Sequence, residues 1–124
     1  MATFYRFEDI IAWQKARILC RIIKPITERE GFSRDFKLKD QILSSSGSVM
    51  DNIAEGYERQ TNKEFIYFLF VSKGSCGEVR SQAYRALDYK YITQQEFEDI
   101  YTRALEISKI LHGLIERLQN PSKT

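Results

Sequence analysis

Two carboxylates, Glu55 and Glu78, are the residues of this chain whose setting comes closest to acid–base chemistry. Asn52 lies three residues before Glu55, and Ser75 lies three before Glu78, so each pair shares one face of a predicted helix. An antiparallel helix pair brings the region around Glu55 opposite residues 69–75, where a half-buried carboxylate needs donors. Paired carboxylates can act as general acid and base. The alternative, which we favour, is a polar network that fixes the register of the two helices.

The chain lacks the residues that most other catalytic or cofactor sites require. Its only histidine, His112, excludes the paired Glu-x-x-His motifs of di-iron bundles and has no organised nucleophile beside it. No glycine-rich phosphate loop is present. The run GSCG at residues 74–77 resembles the clamp loop of an RNA-binding module, but it lies inside a helical pattern. Close helix packing is the better account of its glycines, and we predict no enzyme, no metal and no cofactor.

Cys20 and Cys76 fall at apolar positions of helical patterns and have no metal-ligand spacing. They are predicted to be buried thiols in a reducing compartment. The first residues do not form a signal peptide, and no stretch approaches the 18 apolar residues of a membrane span. The predicted location is the cytoplasm, without membrane association.

Basic residues are the candidates for contacts with nucleic acid. The net charge is only +2, which neither requires nor excludes such a partner. Residues 10–27 carry four basic side chains and no acid, and α-helical spacing puts three of them on one face, where they could follow a phosphate backbone. The alternative is a solvated helix face. The candidates in this stretch are Lys15, Arg17, Arg21 and Lys24. A second basic stretch, later in the chain, adds Arg80 and Arg85.

Aromatic residues exceed what one small core can bury. Phe65, Phe68 and Leu69 point to one side of a helix, whereas Tyr67 and Phe70 point elsewhere. Exposed aromatic patches usually mark interfaces, so Tyr67 and Phe70 are predicted interface residues of a homo-oligomer. The alternative is that single exposed tyrosines need no partner.

Apolar periodicity predicts the elements that position these residues. Four segments show helical spacing, at about 7–29, 36–58, 62–89 and 94–118. The apolar face predicted for the first helix contains Ile11, Ile18, Ile22 and Ile26, with Leu19 and Ile23 beside them. The third segment has a heptad pattern, and the breaks between segments are short. We predict a single all-α domain over residues 1–124, an antiparallel up-down-up-down four-helix bundle.

The middle of the second helix is a run of small residues, SSSGS at residues 44–48. Serine and glycine have poor helix propensity. The run therefore predicts that another element packs close to this backbone or that the helix bends there.

The run DNIAEGYER at residues 51–59 resembles the NIAEG..R signature of a family called four-helix bundle proteins, or 23S rRNA intervening-sequence proteins. Gly74-Ser75 followed by Glu78 also resembles that family, and the likeness spans residues 7–118. One set of residues carries the resemblance and also makes up the polar network predicted above. Its members are Asn52, Glu55, Gly56, Arg59, Gly74, Ser75 and Glu78.

The resemblance implies a bundle that assembles into a ring, commonly a homopentamer, and no catalytic residues. Relatives include proteins encoded within large-subunit rRNA genes. A related branch is the accessory protein of diversity-generating retroelements, a basic barrel that binds a reverse transcriptase and nucleic acid. This chain is less basic than that branch, since its net charge is +2.

The sequence thus predicts a non-enzymatic, ring-forming interaction module that binds structured RNA or DNA. The alternative is a protein–protein scaffold that does not bind nucleic acid. Such a scaffold would use the aromatic patches and the groove at residues 44–48 to contact a protein partner.

Overall fold

The computed structural model describes residues 4–121 and confirms the all-α bundle. Within that range the chain has helices and no strand. α1 packs against α2 and α4, and α3 packs against the same two helices, so α1 and α3 lie on a diagonal of the bundle. The four helices are α1 at Ile11–Thr27, α2 at Phe36–Glu58, α3 at Asn62–Asp88 and α4 at Gln94–Gln119.

The first helix is shorter than predicted. It begins at Ile11, because Ile10 has an extended backbone (φ −77°, ψ 118°) that separates α1 from a 3-10 turn at Phe7–Asp9. Pro25 lies in the last turn, and the helix ends two residues later at Thr27 rather than at residue 29. Gly31 then adopts a positive φ of 94°, a conformation that favours glycine.

The face of α1 that enters the core also differs from the prediction. The buried stripe consists of Ala12, Ala16, Leu19, Ile23 and Ile26. Ile11 and Ile18 are instead 51% and 44% exposed. Both stripes have helical spacing. The prediction of the stripe with Ile11 and Ile18 was wrong, because Ala12 and Ala16 are small and allow a neighbouring helix to approach more closely. An apolar strip therefore faces outward along α1.

The other three helices bury the stripes that periodicity predicts. On α3 these positions follow the heptad from Phe65 through Leu69, Cys76 and Val79, and all of them are buried. On α4 they run from Phe97 to Leu118. Burial of one large aliphatic side chain stabilises the fold by about 1.5–3 kcal/mol. The four helices share this single core.

Threonine caps begin the last two helices. The Thr93 hydroxyl accepts from the backbone N–H of Glu96, and the Glu96 carboxylate accepts from the Thr93 N–H, which completes a capping box. At α3 the Thr61 hydroxyl accepts from the N–H of Glu64, but the Glu64 carboxylate contacts the Thr61 hydroxyl instead of its backbone. These caps fix where α3 and α4 start, and hence which of their residues meet.

Candidate nucleic-acid interface

A groove between α3 and α4 brings four basic side chains together. Lys73 and Arg80 lie two turns apart on α3, and Lys109 and His112 lie one turn apart on α4. The groove is open to solvent and has a volume of about 380 Å³. Among the described residues no acid lines it. Its lining, which defines the α3–α4 groove, is Lys73, Arg80, Leu105, Ser108, Lys109 and His112.

The basic side chains of the groove are available to a ligand. In the part of the chain that the structure describes, none of the four forms an ion pair with an acid. Arg80 is held by its own helix, since its Nε donates to the carbonyl of Cys76 at 3.4 Å. A Cβ at Gly77 would have the Arg80 Nη2 as its nearest neighbour, 3.6 Å away. The guanidinium therefore lies beside a position that has no side chain.

An aromatic cluster continues the groove toward the end of α3. The Arg80 guanidinium lies over the ring of Tyr101, 5.7 Å from its centre. The Tyr84 ring contacts both Phe97 and Tyr101, with centroid distances of 4.7 and 5.8 Å. Tyr84 is 51% exposed, whereas Phe97 is buried. We call Tyr84, Phe97 and Tyr101 the aromatic ledge, and Arg80 joins it to the groove.

Acidic residues lie on α4 near both ends of the α3–α4 groove and the aromatic ledge, which together we call the basic strip. Helical spacing places Glu98 and Glu116 on the face that carries Leu105, Lys109 and His112. Neither glutamate lines the groove. The positive region is therefore short, and carboxylates lie beyond it in both directions along α4.

The basic residues predicted on α1 are partly neutralised. Lys15 pairs with Glu106 of α4 at 3.3 Å, and Lys24 pairs with Glu28 at 2.8 Å. Arg17 and Arg21 are exposed, and neither has an ion pair among the described residues. Two of the four predicted cations therefore remain available on this helix.

The second predicted set divides between two faces of α3. Arg80 lies in the α3–α4 groove, whereas Arg85 turns toward α2, where its Nη1 donates to the Gln41 side-chain oxygen at 3.0 Å. Sequence reasoning missed Lys73 and Lys109. The seven-residue interval between Lys73 and Arg80 was a usable signal, but the meeting with Lys109 depends on how α3 and α4 pair.

The predicted polar residues form two separate groups. The Asn52 amide donates to the Ser48 carbonyl at 2.8 Å and to its hydroxyl at 2.7 Å, and the Ser75 hydroxyl donates to the same Ser48 oxygen at 2.9 Å. Ser48 thus links Asn52 of α2 to Ser75 of α3. Arg59 belongs to the other group, because it pairs with Glu55 at 2.9 Å and with Glu64 at 3.6 Å.

The carboxylate arrangement that acid–base chemistry would need is not formed. Glu55 is exposed rather than half-buried, and its partner is Arg59 on its own helix. Glu78 is also exposed and lines a shallow cavity with Asp40 and Ser44, whose described lining does not include Glu55. The idea that these two carboxylates work together was wrong, because each faces solvent on its own helix.

Close packing explains Gly56 but not Gly74 or Gly77. A Cβ at Gly56 would meet the Cβ of Phe68 and the ring of Phe65. At Gly74 a Cβ would have none of the described atoms within 4 Å, and at Gly77 it would meet only the Arg80 side chain. The prediction that close helix packing accounts for Gly74 and Gly77 was therefore wrong.

The small run on α2 forms side-chain links to its neighbours. The Cys20 thiol donates to the Ser46 carbonyl at 3.2 Å, and the Gln82 amide donates to the Ser45 hydroxyl at 3.0 Å. The Ser72 hydroxyl donates to the carbonyl of Val49, just beyond the run, at 2.7 Å. At Gly47, by contrast, a Cβ would have no described atom within 4 Å. Serines rather than the glycine make the close contacts of this segment.

The two predicted interface aromatics are exposed. Tyr67 is 62% and Phe70 is 50% exposed, and Val71, which is 36% exposed, lies beside them on α3. Tyr67 packs edge-on against the ring of Phe68, which is itself partly covered. Together with the outward strip of Ile11 and Ile18, these residues leave apolar surface on the two diagonal helices.

The thiols and acids of the bundle do not create a reactive or metal-binding centre. Burial raises the pKa of the Cys76 thiol to about 12 and also raises the pKa of Cys20. Over residues 4–121 there is no group of three or more histidine, cysteine or acidic side chains that could hold a metal ion. None of the described helices has the length and apolar character needed to cross a membrane.

Comparison with known proteins settles the family. The sequence profile of the 23S rRNA-intervening sequence proteins matches residues 8–113. The chain belongs to this family. The match covers all of α1, α2 and α3 and most of α4, so the α3–α4 groove lies within the family region. No curated protein matched the sequence.

A solved structure from Bacteroides thetaiotaomicron is similar to this family member. It is the crystal structure of a protein of unknown function from the S23 ribosomal protein family. The two chains are 26% identical, with a TM-score of 0.79 over 87% of this chain and 97% of the other. The helical arrangement described above is therefore also found in an experimental structure.

Proposed function

We propose that the chain is a non-enzymatic interaction module that binds RNA through the α3–α4 groove. The observation that carries the proposal is a groove lined by Lys73, Arg80, Lys109 and His112, with no acid among its described lining and no ion pair between these side chains and any acid of residues 4–121. Phosphates are the partners that such a cluster recognises. The solved relative is described as a member of a ribosomal protein family, and this supports RNA as the partner.

The low net charge is compatible with this role because binding depends on where the cations lie. Lys73, Arg80 and Lys109 supply three fixed charges within one groove. Each phosphate neutralised on a single strand contributes about −0.7 to the slope of log K against log salt, so three contacts give about −2. Affinity from one copy is therefore modest and strongly reduced by salt.

The test compares two sets of cations that form no ion pair with a described acid. One set is Lys73 and Lys109 in the groove, and the other is Arg17 and Arg21 on α1. A labelled 23S rRNA fragment is titrated with the wild type, with Lys73→Gln/Lys109→Gln and with Arg17→Gln/Arg21→Gln, and fluorescence anisotropy is followed across salt. Both variants lose two positive charges. We expect the groove variant to bind at least tenfold more weakly and the α1 variant to bind within about twofold of the wild type. A reversed order would move the site to α1, and no binding at low salt would overturn the function.

We also propose that the module self-associates. Its exposed apolar strips lie on diagonal helices, with Ile11 and Ile18 on α1 and Tyr67, Phe70 and Val71 on α3. Two unlike surfaces joined head to tail produce a ring when the rotation closes. The family resemblance implies a ring of five copies. The expected location of this assembly is the cytoplasm. Light scattering measures the assembly, and a single-chain mass near 14.6 kDa at high concentration would overturn it.

The scaffold alternative makes a different prediction from the same surfaces. If the apolar strip on α3 receives another protein instead of a second copy, that complex survives charge removal at Arg17 and Arg21 and is lost with Tyr67→Ser/Phe70→Ser. The observation that favours the alternative is the exposure of both aromatics. RNA binding that is independent of Lys73 and Lys109 would favour the scaffold further.

A further inference from the structure

We infer that the α3–α4 groove and the aromatic ledge form one site for an unpaired segment of RNA, such as a loop, rather than for a duplex. The inference rests on the proposed function and names the form of RNA that the groove receives. Its basis is the continuity of a phosphate-binding strip with an exposed ring, joined by the Arg80 guanidinium over Tyr101.

The dimensions of the strip fit a few nucleotides. Lys73 and Tyr84 are eleven residues apart on α3, and Tyr101 and His112 are eleven residues apart on α4, which corresponds to about 16 Å along each helix. A stacked strand advances by about 3.4 Å per nucleotide. The strip therefore spans about five nucleotides, with cations at one end and rings at the other.

The ledge presents a ring on which a base can stack. Contacts with Phe97 and Tyr101 hold the Tyr84 ring from the protein side, at interplanar angles of 53° and 77°. Phe97 is buried beneath Tyr84 and covers it from the protein side only. About half of the Tyr84 surface therefore remains open to solvent. Aromatic stacking on single strands is tolerant of sequence, since every base has a π face. Tyr84 is thus the position where an unpaired base would be recognised.

A duplex fits this surface poorly. Bases in a duplex are stacked on each other, so their faces are closed to Tyr84. Modules that recognise double-stranded RNA contact phosphates over about 16 base pairs, whereas the basic strip is about 16 Å long. Continuing the strip along α4 would bring duplex phosphates toward Glu98 or Glu116, where like charges repel. A short, flexible strand avoids both carboxylates.

The test uses one RNA sequence in two forms and three tyrosine variants. Anisotropy at low salt compares an unstructured ten-nucleotide RNA with the same strand annealed to its complement. The variants are Tyr84→Leu, which keeps an apolar cover over Phe97, Tyr84→Phe, which keeps the ring, and Tyr89→Leu. Tyr89 is a matched control because it is an exposed tyrosine that packs on Tyr91 rather than on the groove.

We expect the wild type to bind the single strand at least tenfold more tightly than the duplex. Tyr84→Leu weakens single-strand binding by about ten- to a hundredfold, the loss of one stacked base, while Tyr84→Phe and Tyr89→Leu leave it within about twofold. Circular dichroism checks that each variant remains helical, and if Tyr84→Leu unfolds, the comparison of single strand with duplex on the wild type still tests the inference.

Different failures separate the inference from the proposed function. Equal binding of duplex and single strand, or equal affinity of Tyr84→Leu and wild type, overturns the single-strand site. If Lys73→Gln/Lys109→Gln still weakens binding in that case, the groove keeps its proposed function. If neither RNA form binds at low salt, both proposals are overturned.

Discussion

Gly56 and Phe68 lie so close where α2 meets α3 that no side chain fits between them. A Cβ at Gly56 would lie 2.7 Å from the Cβ of Phe68 and 3.1 Å from the ring of Phe65. The Arg59 guanidinium, one helical turn beyond Gly56, lies over the ring of Phe68, 4.9 Å from its centre. Two residues of the sequence signature thus hold Phe68 in place.

Replacing Gly56 by alanine should destabilise the bundle. The new methyl group requires the backbone of α2 or α3 to shift, and overpacking of this kind costs about 1–3 kcal/mol. Urea denaturation followed by circular dichroism measures the change in the free energy of unfolding. Gly74→Ala is the matched control, because a Cβ there meets none of the described atoms, and alanine should stabilise that helix by about 0.5–1 kcal/mol. Equal effects at both glycines would contradict the role of Phe68.

Stability should fall in acid through Glu96. The hydrogen bond from Arg29 holds the pKa of the Glu96 carboxyl below its ordinary value of 4.5. A carboxylate with a lower pKa in the folded state stabilises the fold above its unfolded pKa, and that contribution is lost as the pH falls through the folded pKa. Denaturation at about pH 7 and about pH 3 should show a larger loss for wild type than for Glu96→Gln. Arg29→Gln should flatten the profile in the same way, and a profile unchanged in both variants would exclude this pair as its source.

Removing one groove cation should change the salt dependence of RNA binding by a fixed amount. Lys109→Gln removes one phosphate contact, so the slope of log K against log salt should become shallower by about 0.7. The measurement is an anisotropy titration between about 50 and 200 mM salt. Lys15→Gln is the control, because Lys15 already pairs with Glu106, and its slope should match the wild type. Equal slopes for all three proteins would place the phosphates elsewhere.

Charge on either apolar strip should disperse the assembly. Ile18→Lys on α1 and Phe70→Lys on α3 each put an ammonium into a contact that the proposed ring buries, so light scattering should report single chains for each variant alone. Mixing them is more discriminating. One Ile18→Lys copy retains an intact α3 strip, and one Phe70→Lys copy retains an intact α1 strip, so the mixture should form pairs. If like strips met instead, one of the two variants would already pair with itself before mixing, which would contradict the head-to-tail contact.

The core of the bundle could be predicted from the sequence because its pattern is redundant. On α3 and α4 the apolar residues recur by threes and fours over six or seven positions, and the exposed strip of Tyr67, Phe70 and Val71 is too short to compete with them. On α1 two stripes compete, one with Ile11 and Ile18 and one with Ala12 and Ala16. Small residues carry little hydrophobic signal, yet they permit the closest approach of helices, which is why the wrong face of α1 was predicted.

The candidate site was less predictable because it depends on register between helices. Arg80 was identified from the sequence, but Lys109 joins it only because the Thr93 cap starts α4 at Gln94 and fixes the pairing with α3. Arg85 was grouped with Arg80 from the sequence, but it lies on the side of α3 that faces α2, where it donates a hydrogen bond to Gln41. Ion pairs across helices, such as Lys15 with Glu106, are also invisible to a scan of charges along one helix.

Gly77 allows shape and charge to be tested separately. It lies between Lys73 and Arg80 on α3, and only the Arg80 guanidinium approaches the place of its missing side chain. A leucine at this position would fill the space beside the Arg80 guanidinium while every cation stayed in the chain. Gly77→Leu should therefore abolish strand entry without lowering the net charge of +2, whereas a purely electrostatic surface would still attract RNA. A single hydrogen atom at Gly77 thus keeps free the space beside Arg80 that the proposed strand would use.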